Sequence, residues 1–129
     1  MGQTMREILF RGKRVDNGEW VFGNLVKTAG GGYLIVDGWD CGYVHEVDEK
    51  SIGQYTGLKD KNGVKVFDGD ILRDEDKKLG AVEFNKGRFV GDFDGRTYYY
   101  ELYLDAEKSE VTGNIHDNPE LLEAVWETK

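Results

Sequence analysis

The chain has 129 residues, a formal net charge of −8 and one cysteine, Cys41. A chain of this length buries enough surface to fold as one domain without a covalent cross-link, and a single cysteine excludes an intramolecular disulfide. No apolar run approaches the roughly 20 residues of a membrane-spanning helix, so these features predict a soluble protein of a reducing compartment, the cytoplasm, with no membrane contact.

Short apolar runs separated by turn residues dominate the sequence. The runs lie, in chain order, at residues 8–10, 20–26, 33–36, 70–73, 81–84, 88–93, 97–104 and 110–115. The segments between them contain glycine, which supplies the positive φ angles of tight hairpins. These turns lie at 16–18, 30–32, 61–63, 85–87 and 94–95. The pattern predicts an all-β protein with antiparallel strands.

One helix is predicted near the end of the given sequence. Asn118 is placed to cap it, Pro119 suits its first position, and Glu120 favours the positive end of the helix dipole. Apolar side chains then recur at helical spacing, at Leu121, Leu122, Val125 and Trp126. We expect this apolar side, with Trp126 mostly buried, to cover one side of the sheet.

The composition changes along the chain in a way that predicts lobes within one domain. Residues 1–129 are expected to form a single domain whose three parts lie at approximately 5–50, 51–64 and 65–129. The first part is a β lobe, the second a turn-rich joint, and the third a β lobe that ends in the helix. Tyr55 and Leu58 are expected to anchor the joint by packing.

Carboxylates follow one another at Asp60, Asp68 and Asp70. The glycine at 63 comes too early for a calcium loop of the EF-hand type, and the flanking helices are missing. Two neighbouring carboxylates can divide the acid and base roles of a hydrolase, so an acidic site at Asp68 and Asp70 is one alternative. Gly69 between them favours a turn instead, and we interpret these carboxylates as turn residues.

Other residues that carry chemistry are few. The two histidines, His45 and His116, and the single cysteine lack the spacing of a zinc site. The only serines, Ser51 and Ser109, do not lie in a nucleophile elbow. The sequence therefore predicts a protein that is not an enzyme, with no catalytic residue, no bound metal and no required cofactor.

The negative charge is concentrated in the second half of the chain. Residues 1–64 carry 8 Lys or Arg against 9 Asp or Glu, a net −1, whereas residues 65–129 carry 9 against 16, a net −7. Since Lys and Arg supply most non-specific affinity for nucleic acid, nucleic acid is disfavoured as a partner. A small basic patch at Arg11, Lys13 and Arg14 keeps a nucleic-acid-associated module as an alternative to a solvated strand end.

Four segments carry a resemblance to a known family. They are FRGKRVDNGEW at 10–20, VDEKSIGQYTGLKDKNGVKVFDGDI at 47–71, GAVEFNKGRF at 80–89 and EVTGNIHDNPELL at 110–122. With them the chain resembles the YopX family of bacterial phage and prophage proteins, in order and over nearly its whole length. The resemblance implies an SH3-like barrel in the C-terminal half, the cytoplasm of a bacterial host, and no catalytic residues. The family pattern fits from Met5, which leaves residues 1–4 as an extension or an alternative start.

These observations favour a phage accessory protein that binds a protein partner or itself. One association surface is predicted in the tyrosine-rich run at 96–105. On a strand, Tyr99 and Tyr103 share the face that would not line the barrel, and tyrosine is enriched at interfaces. We therefore expect a homo-oligomer that uses Tyr99 and Tyr103; the alternative is that the N-terminal lobe of the same chain covers both rings.

Overall fold

The computed structural model describes residues 7–38, 43–93, 96–102 and 106–127. Its strands are β1 Phe10–Lys13, β2 Trp20–Lys27, β3 Tyr33–Val36, β4 Val44–Val47, β5 Gly53–Lys59, β6 Lys65–Phe67, β7 Asp70–Arg73, β8 Leu79–Asn85, β9 Arg88–Phe93, β10 Arg96–Glu101 and β11 Glu110–Asn114. A 3-10 turn spans Glu49–Ser51, and the helix α1 spans Glu120–Glu127. The predicted all-β fold is confirmed.

The strands form two sheets. One has the order β4-β3-β2-β1-β5-β6, and the other has the order β10-β9-β8-β7-β11. The chain divides into two compact units, Met1–Tyr55 and Thr56–Lys129, which we call the first and the second unit. Strand β5 crosses this boundary. Its first half pairs with β1, where Gln54 lies opposite Phe10, and the Thr56 hydroxyl in its second half donates to the Val66 carbonyl at 2.8 Å.

The inner face of the sheet in the first unit is buried. Ile35, which pairs with Leu25 on β2, is fully buried, and Val47 on the same face is nearly so. Gly23 also lies on this face, and a Cβ there would come within 2.2 Å of the Val36 carbonyl oxygen. Only glycine therefore allows β2 and β3 to approach each other at this point.

The end of β1 lies beside β4 as well as beside β2. Arg14 and Val47 form an isolated antiparallel bridge, and the Val15 N–H donates to the Glu46 carbonyl at 3.0 Å. These contacts curl the sheet of the first unit. Because the bridge is isolated, the ladder does not continue far enough to close the sheet.

The second unit buries both faces of its central strands. The registers place Leu72 and Val82 on one face, and Ile71 and Val90 on the other. None of these four side chains is more than 2 % exposed. The cluster around Val82 also contains Val66, Leu72 and Leu102, with Leu58, Phe89 and Val111 packed against it. Such two-sided burial is a large source of stability, at about 25 cal/mol per Å² of apolar surface removed from water.

The sheet of the second unit is open among the described residues, with β10 and β11 at its two ends. The predicted SH3-like barrel is therefore not confirmed. The helix α1 contacts β8, as expected of a helix that covers one side of a sheet. The predicted burial of Trp126 concerns a side chain that lies outside what the structure describes.

The segment predicted as a turn-rich joint at 51–64 is mostly a strand. Residues 53–59 form β5, and only residues 60–63 turn towards β6. The prediction was wrong because two glycines and several polar residues suggested turns, whereas pairing with β1 draws the segment into a sheet. Tyr55 is buried and Leu58 packs against the core, so the two predicted anchors are confirmed.

Candidate functional site

Two of the predicted basic residues make cation–π contacts with the same indole ring. Arg11 is buried, and its guanidinium carbon lies 4.7 Å from the centre of the Trp20 ring. The Lys13 ammonium lies 5.6 Å from the centre of the same ring, because the register places Lys13 opposite Trp20. Both contacts are favourable cation–π arrangements. Both cations are held against the indole and partly or fully buried, which makes them less accessible to a phosphate.

Arg14, the third predicted basic residue, is paired with Asp16 in the turn that follows β1. Its Nε and Nη2 donate to the two Asp16 carboxylate oxygens at 2.9 and 2.6 Å. The hydrogen bonds from Arg14 lower the pKa of the Asp16 carboxyl below its ordinary value, so this carboxylate is ionised at neutral pH. The structure thus separates the three cations into a buried one, a half-buried one and an ion-paired one.

A groove lies beside this ion pair, between the turn and β4. It has a volume of about 180 Å³ and is lined by Arg14, Val15, Asp16, Val44, His45 and Glu46. The valine side chains are exposed, so the groove combines apolar walls with charged groups. The backbone hydrogen bond between Val15 and Glu46 holds its two walls together.

Several apolar side chains lie on the outer face of the sheet in the first unit, where Asn24 separates Phe22 from Val26. We use the term outer face for five of them, Phe22, Val26, Leu34, Val36 and Val44. The registers place Val26 opposite Leu34, and Val36 opposite Val44. Phe22, Val26 and Val44 are 43 %, 41 % and 45 % exposed. Several exposed apolar side chains on one face of a sheet are typical of an interaction surface.

Asp60, in the second unit, is a buried carboxylate that binds backbone on two sides. Its Oδ1 accepts the N–H groups of Asn62 and Val64 at 2.8 and 2.9 Å, and its Oδ2 accepts that of Val111 at 2.9 Å. Burial by itself raises the pKa of Asp60, but these three hydrogen bonds, with the charge of Lys61, lower it below its ordinary value. Asp60 therefore connects the β5–β6 turn to β11 as an ionised group.

Asp70 has a similar role at the next turn. It is buried, and its Oδ2 accepts the Phe67 N–H at 2.7 Å across the turn formed by Asp68 and Gly69. The Gly69 carbonyl in turn accepts the Ile115 N–H at 2.8 Å. The prediction that these carboxylates serve turns is confirmed for Asp70. It is also confirmed for Asp60 in the preceding turn.

The loop after β11 is closed by amide side chains. The Asn114 Oδ1 accepts the N–H groups of His116 and Asp117 at 3.0 and 2.8 Å. The Asn118 Oδ1 accepts the Asn114 N–H at 3.2 Å, so this side chain turns back towards β11 and does not act as the helix cap that the sequence predicts. A Cβ at Gly113 would lie 2.4 Å from that oxygen, which accounts for the glycine.

The predicted association surface lies outside the described residues, because neither the side chain of Tyr99 nor any part of Tyr103 is described. Within the described ranges, no group of three or more His, Cys, Asp or Glu residues is placed to hold a metal ion. No helix in the described part of the chain is long and apolar enough to cross a membrane.

The outer face and the groove were not predicted from the sequence. A partial signal for the outer face was present, because Trp20, Phe22 and Val26 share one side of a strand, although Asn24 interrupts their period of two. It was overlooked because the intervening Val21 and Leu25 make the run apolar on both sides. The groove has no such signal, since its two walls are about thirty residues apart in sequence.

Comparisons with known proteins agree with this fold. The family model described as YopX protein matches residues 9–123. The crystal structure of protein EF1440 from Enterococcus faecalis is similar to the chain, with 29% sequence identity and a TM-score of 0.56, over 92% of this chain and 99% of that chain. No curated protein matches the chain.

Proposed function

Because this chain belongs to the YopX family, we propose that it is a phage or prophage accessory protein that acts in the bacterial cytoplasm as a non-enzymatic protein-binding module. Its binding surface is the outer face of the first unit. The partner is a protein, and the protein partner covers apolar side chains that are otherwise in contact with water.

The observation that carries this proposal is the exposure of the outer face. Phe22, Val26 and Val44 each expose more than two-fifths of their surface on a regular sheet. Single exposed apolar residues are common on proteins, but several on one face of a sheet are characteristic of docking sites. An aromatic ring supplies a large apolar area at the centre of such a surface, and Phe22 provides one.

The carboxylates of the second unit support the non-enzymatic part of the proposal. A general acid or base has to exchange a proton with a substrate within hydrogen-bond reach. Asp60 and Asp70 are buried and accept backbone N–H groups instead. Their positions are explained by the turns that they hold.

The proposal is tested by capture of proteins from a lysate of the bacterial host, with identification by mass spectrometry and confirmation with the purified partner. Phe22→Glu places a charge on the outer face. Val64→Glu is the matched control, because Val64 is 48 % exposed and lies in the second unit. We expect the wild type and Val64→Glu to capture the same protein, and Phe22→Glu to lose it while keeping its circular dichroism spectrum. Equal capture by all three proteins would refute the proposal.

A further inference from the structure

The groove beside β4 has the size of a pocket for one side chain. Its volume of about 180 Å³ is below the roughly 300–1,000 Å³ of pockets that hold cofactors or drug-sized ligands. It opens next to Val44, which also belongs to the outer face. A polypeptide that docks on the outer face therefore lies within reach of the groove.

The charges in the groove favour a cation. Arg14 and Asp16 neutralise each other through two hydrogen bonds. Glu46 is exposed and adds a negative charge, so the groove is lined by two carboxylates and one guanidinium.

The apolar walls select the kind of cation. Lys and Arg side chains bury their methylene stems against apolar surface while the charged head stays polar. In this groove Val15 and Val44 are exposed and available to the stem, and the Glu46 carboxylate is available to the head. Arginine suits the site in particular, because its guanidinium can donate two hydrogen bonds to one carboxylate.

We propose that this groove receives a basic side chain, Arg or Lys, from an extended segment of the partner protein. The inference rests on the proposed function, since it names the chemistry of the segment that extends from the outer face. The occupant is a separate polypeptide with a basic residue next to the apolar residues that cover Phe22 and Val44.

The test is a titration of the ¹⁵N-labelled protein of 129 residues with N-acetyl-arginine-N-methylamide, followed by two-dimensional NMR. N-acetyl-lysine-N-methylamide is titrated in parallel, and N-acetyl-glutamate-N-methylamide is the probe of opposite charge. We expect saturable shifts of the Val15, Val44 and Glu46 amides with a basic probe and none with the acidic one. The absence of saturable shifts at these amides with either basic probe would overturn the proposal.

Variants of two carboxylates distinguish binding of the probe in the groove from general attraction between opposite charges. Glu46→Gln is expected to weaken binding of the arginine probe by about threefold, the effect of one exposed ion pair. Glu49→Gln removes an exposed carboxylate that does not line the groove and is expected to leave binding unchanged. Equal effects of the two variants would overturn the assignment of the cation to the groove.

Failure of the groove proposal can be distinguished from failure of the proposed function. If Phe22→Glu abolishes partner capture while the probes do not bind, the docking surface stands and the basic side chain is refuted. Light scattering on the same samples identifies the source of the cation. A dimer that Glu46→Gln dissociates would overturn the assignment to a separate partner, because a second copy of the chain would then supply the basic residue.

Discussion

The two units use apolar and charged side chains in different ways. In the second unit both faces of the central strands are buried. The buried carboxylates of Asp60 and Asp70 accept hydrogen bonds from backbone N–H groups of the same unit. In the first unit Ile35 and Val47 are buried on one face of β2–β4, Phe22, Val26 and Val44 are exposed on the other, and the Arg14–Asp16 pair lies at the surface. The side chains of the second unit therefore serve its own stability, whereas the proposed binding surface lies in the first unit.

Removal of the Asp60 carboxylate should have the largest effect, because it leaves three backbone N–H groups without their acceptor. We expect Asp60→Ala to lower the free energy of unfolding by about 4 kcal/mol, measured by urea denaturation with circular dichroism. The control is Asp76→Ala, which removes an exposed carboxylate from the same unit and should change stability by less than about 0.5 kcal/mol. A loss in Asp60→Ala as small as that expected for Asp76→Ala would show that the Asp60 carboxylate is not structural.

One substitution made in both units tests the difference in burial directly. Val82→Ala and Val90→Ala, on opposite faces of the second unit, should each cost about 2.5 kcal/mol because each creates a cavity in a packed interior. Val26→Ala, on the outer face, should cost about 0.5 kcal/mol. Urea denaturation measures all three. A loss at Val26 as large as that at Val90 would mean that the outer face is part of a core.

The pH dependence of stability should report on Asp60. Its pKa in the folded protein lies below the ordinary value of 3.8, so its contribution is complete above that pH and is lost as the pH falls through the folded-state pKa. We expect the free energy of unfolding to decrease below about pH 4. In Asp60→Asn, which cannot titrate, this decrease should be smaller. Parallel pH curves for the two proteins would contradict the assignment.

The smallest effect is expected for nucleic acid, where the basic residues of the first unit are already engaged. A fluorescent single-stranded oligonucleotide of random sequence should show no saturable binding at physiological salt, because the chain is acidic. Anisotropy should be the same for the wild type and for the variant with Arg11→Ala, Lys13→Ala and Arg14→Ala. Tight, salt-sensitive binding that the triple variant loses would restore a nucleic-acid role for the first unit.

The parts of the fold that the sequence predicts are those with local causes. The turns at 16–18, 61–63 and 85–87 occur where glycine was expected to reverse the chain, and β7 begins and ends at the predicted residues. Strands β4 and β5 were not predicted, because VHEV and GQYTGLK lack a clear apolar alternation. They become strands through pairing with β3 and β1, and such partners are not visible in a local pattern.

The candidate site was predicted less well, for a related reason. Arg11, Lys13 and Arg14 are close in sequence and therefore suggested a patch. The contacts of each cation depend on features that are not local. The strand register places Lys13 opposite Trp20, and the turn after β1 brings Asp16 back to Arg14. The Asn118 side chain departs from its expected capping role in the same way, since β11 offers it an N–H that the helix pattern does not reveal.

The path of β5 has a consequence for how this gene can change by recombination. The strand contributes Gln54 to the pairing with β1 and Thr56 to a hydrogen bond with Val66. A crossover at the boundary between the two units would give each hybrid protein half of a strand from either parent. Residues on both sides of that point must continue to fit their own partners on β1 and β6, so we expect the two units to be inherited together.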